Sequence, residues 1–342
     1  MSPMLAAAIV PALVAFIAIV ALRRSVLATR LADRPNERSL HVEPTPRLGG
    51  LAIAAGVLPF AAWEAAHAPA LAAMLACALV LLVVSLIDDL GGLPIEVRLP
   101  AHLCAALVAV LAVAGPETPW PWGAAGAIVA VLAIAWAANL YNFMDGADGL
   151  AGGMGVIGFG ALALAAADAG QVNLALLCVA ITSACAGFLL HNTPPARVFM
   201  GDCGAIPLGF LAGALGVHGA LVGAWPWWFA PFVFSPFIAD ATLTLALRMA
   251  RRQPFWRAHR DHGYQRLVLS GWSKRRLAIS AWALMLAAAA SALLARDSVG
   301  IERYVIIFVW LSAYALMAMA IGWLTKRKAQ AARVDSPISR MP

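Results

Sequence analysis

Charge is scarce in this chain. Asp, Glu, Lys and Arg make up 12% of its 342 residues, and 63% are apolar or aromatic. A soluble domain carries about 25% charged and about 45–50% apolar residues. A chain of this length has too little interior to hide such a surplus, which excludes a soluble enzyme and a disordered chain, and the apolar residues must face lipid. Cysteine is thin as well: there are 5, with no C-x-x-C pair, and Cys77, Cys104, Cys178 and Cys185 stand singly in apolar runs. That excludes a disulfide framework and a thiolate metal cage, and leaves these four as small buried side chains. Internal repeats and long polar segments are also missing. The chain reads as one membrane unit over 1–325, followed by a basic tail, 326–342, expected to be cytoplasmic and disordered.

What the chain has in quantity is apolar runs long enough to cross a bilayer, about 17–25 residues each. Spans are expected at 3–22, 48–63, 71–87, 99–115, 123–141, 150–167, 172–191, 204–222, 226–247, 277–295 and 301–324. The fold class is therefore all-α, a polytopic membrane protein of about 11 transmembrane helices. No basic residue precedes the first run, whereas Arg23 and Arg24 follow it. It reads as an anchor with the N-terminus outside, which puts the C-terminus in the cytoplasm. With that start, all but Arg296 and Arg303 of the 24 Lys and Arg residues fall in or beside cytoplasmic loops. The net charge of +7 is then an orientation signal, and nucleic acid is not an expected partner. The loops on the far side are too short to build a site, so any chemistry belongs to the cytoplasmic face.

Acids matter more than bases here, because carboxylates at membrane depth are costly and usually functional. Five polar clusters stand at cytoplasmic ends of spans. They are Ser39-Leu40-His41 with Thr45-Pro46-Arg47-Leu48-Gly49-Gly50; the pair Asp88-Asp89; Asn139-Leu140-Tyr141-Asn142-Phe143-Met144-Asp145-Gly146-Ala147-Asp148-Gly149-Leu150; Phe199-Met200-Gly201-Asp202-Cys203-Gly204; and Arg257-Ala258-His259-Arg260-Asp261-His262-Gly263-Tyr264-Gln265-Arg266. Adjacent carboxylates such as Asp88 and Asp89 repel unless a cation joins them or one is protonated. With Asp145, Asp148 and Asp202 they supply the hard oxygen ligands that suit Mg²⁺, which also accepts waters and substrate phosphates. In the third cluster polar side chains recur every three residues and are neighbours if the stretch is helical. The last cluster has the opposite sign, and Arg257, Arg260 and Arg266 with His259 and His262 could hold a diphosphate. Metal-binding acids facing a cationic loop form a layout for phosphoryl transfer. Asp240 lies inside the ninth expected span and is read as a structural hydrogen-bonding group.

These residues, in this order, resemble the polyprenyl-phosphate N-acetylhexosamine-1-phosphate transferases of the bacterial inner membrane. The likeness runs from Arg34 to about Gly271 and rests on the Asp pair, the Asn-x-x-Asn-Phe-Met-Asp-Gly-x-Asp-Gly-Leu stretch, Phe-Met-Gly-Asp and the His-rich last loop. The resemblance implies a helical membrane fold with a cytoplasmic site, a Mg²⁺ cofactor (with Mn²⁺ an alternative), and an enzyme that can dimerise with its own copy. It implies that a UDP-N-acetylamino sugar donates its sugar 1-phosphate to undecaprenyl phosphate or a similar polyprenyl phosphate, releasing UMP. By residue, Asp88, Asp89, Asp145 and Asp148 would be the catalytic acids, with Asp88 as base or phosphate-orienting group and Asp145 and Asp148 positioning sugar nucleotide or metal. Asn142 and Asp202 would ligate metal, while Asn139, His41, Arg257, His259, Arg260 and His262 would bind substrate. The last loop reads His-Arg-Asp-His and not a run of three histidines, as in the branch that makes the peptidoglycan precursor. It looks more like the branch that starts O-antigen or other surface polysaccharides.

A peptidoglycan-precursor transferase and a secondary transporter are the alternatives. A transporter should place its polar groups near mid-bilayer, whereas all but Asp240 cluster at one face. A CDP-alcohol phosphotransferase fails on its Asp-Gly-x-x-Ala-Arg opening, because Leu150-Ala151 follow Gly149 with no Arg. Which of N-acetylglucosamine, N-acetylgalactosamine, N-acetylfucosamine and N-acetylquinovosamine the donor carries depends on single hydroxyls, which no motif here reads.

Overall fold

The computed structural model describes residues 2–35, 43–114, 118, 120–254, 259–298 and 300–334, without side chains for 61–65 and 329–334. His41 and Arg257, both expected at the site, lie outside the described residues, as does 335–342. In chain order the elements are α1 (Pro3–Leu22), α2 (Val26–Arg30), β1 (Ala32–Asp33), β2 (Thr45–Pro46), α3 (Gly49–His67), α4 (Pro69–Gly91), α5 (Ile95–Val113), α6 (Ala124–Met144), α7 (Leu150–Asp168), α8 (Val172–Asn192), α9 (Asp202–Leu221), α10 (Phe229–Val233), α11 (Ser235–Ala250), α12 (Gly263–Leu269), α13 (Lys274–Ala295) and α14 (Ile301–Val334). β1 and β2 form a two-residue antiparallel ladder.

Among the described helices, nine are long and apolar enough to cross a membrane: α1, α4 to α9, α13 and α14. The chain is a polytopic helical membrane protein. Two other expected spans coincide with α3, whose apolar stretch is Gly49–Phe60, and with the pair α10 and α11. The run 226–247, expected as one helix, is therefore two. Pro236 stands in the first turn of α11; it has no N–H to give, and its ring excludes the carbonyl of the preceding turn. Sequence reading also ended the last span at 324, but α14 continues to Val334. Lys, Arg, Ala and Gln dominate that extension, and each propagates a helix at little cost.

The centre of the bundle is α7, α8 and α9, whose apolar windows are 72%, 67% and 67% buried within the protein, against 0% for α14. α8 lies between α1 and α7, while α9 lies between α4 and α6. Pro11 interrupts the ladder of α1, and a side chain from α8 repairs it. Ser183 Oγ accepts from Ala12 N at 3.1 Å and donates to Ala8 O at 2.8 Å. A polar group at membrane depth is thus satisfied by a neighbouring helix, as lipid requires. This order brings the C-terminal ends of α4 and α6 beside the N-terminal ends of α3 and α9, where the acidic motifs stand.

Candidate active site

The first and fourth motifs are joined by backbone before any side chain is considered. Phe199 N donates to Pro46 O at 2.9 Å, and Gly49 N and Gly50 N donate to Phe199 O and Met200 O, each at 2.9 Å. The seam sets α3 and α9 side by side at their starts, so closely that a Cβ on Gly50 would lie 2.3 Å from Gly204 N. Gly201, at φ +77°, turns the chain there, which a residue with a Cβ resists. Asp202 then opens α9, where the helix dipole favours a carboxylate.

The Asp88-Asp89 pair does not act as a pair in space. Successive residues of a helix point about 100° apart, and the two carboxylates leave α4 towards different partners. Asp89, 2% exposed at its side chain, meets Arg47 Nη1 at 3.1 Å and accepts from Cys203 N at 3.2 Å. Asp88 meets Arg98 Nη1 at 2.7 Å and accepts from Leu93 N at 2.5 Å, closing the connection from α4 to α5. Arg47 also reaches Asp33 at 2.5 Å, which ties β1 to the site.

The third motif is helical only as far as Met144, so its three-residue spacing carries side chains to three places instead of one face. Asn139, well inside α6, meets His102 of α5 at 3.1 Å and donates to Ala135 O at 2.8 Å. Asn142 hydrogen-bonds the Asp202 carboxylate. Asp145 accepts from Gly201 N–H and faces Asp202 and Asp89; burial first, and then those two carboxylates, push its carboxyl well above the ordinary range, against the opposing pull of Arg47. Asp148, past the Gly146 turn, lies elsewhere. It meets Lys274 Nζ at 3.0 Å with one oxygen and 3.2 Å with the other, and accepts from Ala196 N at 3.0 Å. The centre therefore gathers Asp89, Asn142, Asp145 and Asp202 around Arg47.

The histidine loop approaches from the α11 side, held by Asp240. That carboxylate accepts from Gly263 N at 2.8 Å and Tyr264 N at 3.1 Å, and stands 3.4 Å from His262 Nδ1. Tyr264 Oη donates to Phe143 O at 3.1 Å; burial beside Asp240 and Asp145 pushes its phenol up, so it stays a donor. The His262 ring stacks with Phe143 and with Tyr264, at 6.2 and 5.8 Å between centroids, with His259 5.0 Å away. Burial, followed by His262 and Arg248, pulls His259 down to about 4. It is neutral at pH 7 and adds no charge to a loop read as cationic. Arg248 pairs with Asp261, Arg266 donates to Thr325 of α14 at 2.6 Å, and Arg260 is half-buried.

Sequence reading passed over Arg47, Arg98, Tyr264 and Lys274 as site residues. Arg47 had a signal, its place inside the first motif; Lys274 looked like any basic residue flanking a span. Among the described residues no three His, Cys, Asp or Glu side chains are close enough to hold a metal by themselves. The donor set still fits Mg²⁺, which takes one or two carboxylates and fills its octahedron with waters and phosphate oxygens. Beside the loop, a cavity of about 710 Å³ runs between α11, α13 and α14, lined by Leu243, Leu247, Met285 and Ile321 together with Arg251 and Arg266.

Fold and site define a polytopic membrane protein with an acid-rich centre at one end of its helices. Residues 71–220 match the family described as glycosyl transferase family 4. Over 332 residues the chain is 29% identical to the undecaprenyl-phosphate alpha-N-acetylglucosaminyl 1-phosphate transferase of Yersinia pestis, covering 91% of this chain and 88% of that protein. It is 32% identical over 299 residues to the decaprenyl-phosphate N-acetylglucosaminephosphotransferase of Mycobacterium tuberculosis, covering 74% and 73%. A phospho-N-acetylmuramoyl-pentapeptide-transferase of Geobacillus thermodenitrificans is 32% identical over 176 residues, 49% of this chain and 52% of that one. The chain belongs to the polyprenyl-phosphate hexosamine-1-phosphate transferase family.

Proposed function

We propose that this protein transfers N-acetylglucosamine 1-phosphate from UDP-N-acetylglucosamine to undecaprenyl phosphate, as the first membrane step of O-antigen or another envelope polysaccharide. The observation that carries the reading is the convergence of Asp89, Asp145 and Asp202 on one shared cation, Arg47. Such an excess of negative charge is stable only with a further cation or with protons. Asn142, Asp145 and Asp202 would hold Mg²⁺, which when bound neutralises diphosphate oxygens and raises the electrophilicity of phosphorus.

The chain's own groups then have distinct tasks. An oxygen of the acceptor phosphate attacks the β-phosphorus; the new P–O bond forms as the bond to the bridging oxygen breaks, and UMP leaves with that oxygen and its electron pair. Asp89 would orient the acceptor phosphate or take its proton, with Arg47 holding the carboxylate in place. Phe143, the exposed ring stacked on His262, would offer an aromatic wall for the uracil, and Arg260 and Arg257 would meet the diphosphate. The cavity beside α11 and α14, apolar with arginines among its lining, suits an isoprenoid carrying a phosphate. The charge map orients the site to the cytoplasm of the inner membrane, where nucleotide sugars are available, and counts α3 and the α10–α11 pair as spans to reach eleven.

A peptidoglycan donor is the weaker reading, since that relative matches 49% of the chain against 91% and 74% for two relatives named for N-acetylglucosamine. The test is UMP release by the purified protein, with UDP-N-acetylglucosamine as donor, undecaprenyl phosphate as acceptor and MgCl₂. Release that needs all three, and that is lost in Asp202→Asn, is expected. Release independent of the polyprenyl phosphate, or undiminished in Asp202→Asn, overturns the reading.

A further inference from the structure

Arg248, Arg251 and Arg252 stand at the end of α11, and they differ in burial. Arg251 and Arg252 are exposed, as cytoplasmic residues that orient a span should be. Arg248 is 11% exposed at its side chain, and burying a guanidinium is costly unless other groups take its charge and its protons. The histidine loop supplies both. Arg248 Nη1 pairs with the Asp261 carboxylate, and Nη2 donates to Pro254 O at 3.0 Å. In the sequence those two residues bracket Arg257, His259 and Arg260. One side chain thus fastens both flanks of the loop, a task that the planar fork of arginine suits and the single ammonium of lysine does not.

The same face of α11 holds the start of α12. Asp240, Thr244 and Arg248 follow one another at intervals of four residues, so they stack along one side of the helix. Thr244 Oγ1 donates to Asp240 Oδ1 at 3.2 Å, which steadies the carboxylate that accepts from Gly263 N and Tyr264 N. We infer that Arg248 is a positioning residue: with Asp240 and Thr244 it seats the histidine loop on α11, keeping His262 against Phe143 at the acid-bearing end of α6, and it does so without touching substrate. This seat rests on the proposed nucleotide site only for its kinetic readout. Arg248 also borders the cavity between α11, α13 and α14, so the rival task is direct contact with the acceptor phosphate. The two tasks act on different substrates, which makes them separable.

Arg248→Gln is expected to raise KM for the UDP-sugar about tenfold and to leave KM for undecaprenyl phosphate within about twofold, since a loosened loop misplaces the nucleotide's contacts and not the acceptor's. Asp261→Asn should do less, because Asp261 is 50% exposed at its side chain and the bond to Pro254 O survives. Arg248→Lys, which keeps one partner, should fall between the wild type and Arg248→Gln. Combined with Arg248→Gln, Asp261→Asn should add no further loss, because both remove one interaction. Amide exchange read by mass spectrometry follows the seat directly: peptides covering 259–266 should exchange at least about tenfold faster in Arg248→Gln, with those of α7 and α8 unchanged. The positioning role is overturned if neither KM moves, or if KM for undecaprenyl phosphate rises as much as that for the UDP-sugar. It is equally overturned if the two losses add, or if 259–266 exchanges as in the wild type. Should Arg248→Gln fail to run as a single species in detergent, Arg248→Lys takes its place under the same criteria, with smaller effects in the same direction. A wild-type protein that releases no UMP would instead count against the proposed reaction, with exchange of 259–266 still reading out the seat.

Discussion

Two sets of acids lie near one another at one end of the helices, and they differ in what neutralises them. Asp88 has Arg98, Asp148 has Lys274, and Asp240 has two backbone N–H groups. Asp89, Asp145 and Asp202 face one another and share Arg47. The first set is complete without any ligand, and each member ties a loop to a helix. The second is left short of positive charge in buried surroundings, and this shortfall is what supports the proposal of a cation and phosphate site there. Sequence proximity does not sort them, since Asp88 adjoins Asp89 and Asp148 stands three residues after Asp145.

The largest effect should come from removing a member of the short-handed set. Asp145→Asn or Asp202→Asn is expected to cut UMP release at least about 100-fold, the scale of losing a group that stabilises developing charge. Adding MgCl₂ should raise the melting temperature of the wild type and not of these variants. Equal shifts would dissolve the distinction between the two sets.

Next in size is the shared cation. Arg47→Met leaves Asp89 buried and unpaired, and with Arg47 33% exposed at its side chain the cost should be about 2 kcal/mol, below that of a fully buried pair. Denaturation monitored by tryptophan fluorescence would show it. Asp88→Asn, by contrast, alters a carboxylate that is itself 11% exposed, against 2% for Asp89, and paired with the half-buried Arg98. It should cost about 1 kcal/mol or less and reduce turnover less than Asp89→Asn does; the reverse order would move the working carboxylate to Asp88.

Acidity offers a finer test. Asp145 is raised, so in metal-free protein the native state holds its proton to higher pH than the unfolded chain does. Its charge therefore destabilises the fold above the raised pKa, and that penalty disappears as pH falls towards the ordinary carboxylate range, about 4. Without metal, Asp145→Asn should melt higher than wild type at neutral pH, and the gap should close on acidification. Asn139→Ala is expected to have the smallest effect on turnover, below about tenfold, because its amide faces His102 and Ala135 O; a larger loss in kcat would bring Asn139 back among the substrate-binding residues.

Much of this was legible in the chain. The eleven apolar runs all coincide with helices or helix pairs, because length and hydropathy suffice to mark a span. The break at Pro236 also had a sequence signal, in Pro226, Pro231 and Pro236, which the continuous apolar character outweighed. The acidic motifs were found because carboxylates are rare in such a chain. Their partners were not, since Arg47 and Asp89 are 42 positions apart and Lys274 and Asp148 are 126 apart, and no local pattern announces a pairing over that distance.

Composition by itself determined that this is a membrane protein, and motif order determined which acids to examine. Both are local properties, set by how a residue partitions between water and lipid and by how often carboxylates can be tolerated there. The tertiary structure decided which acids are spoken for. That depends on the 100° turn between neighbouring helical residues, on the end of α6 at Met144, and on which distant cation the packing of α3, α5 and α13 delivers to each carboxylate.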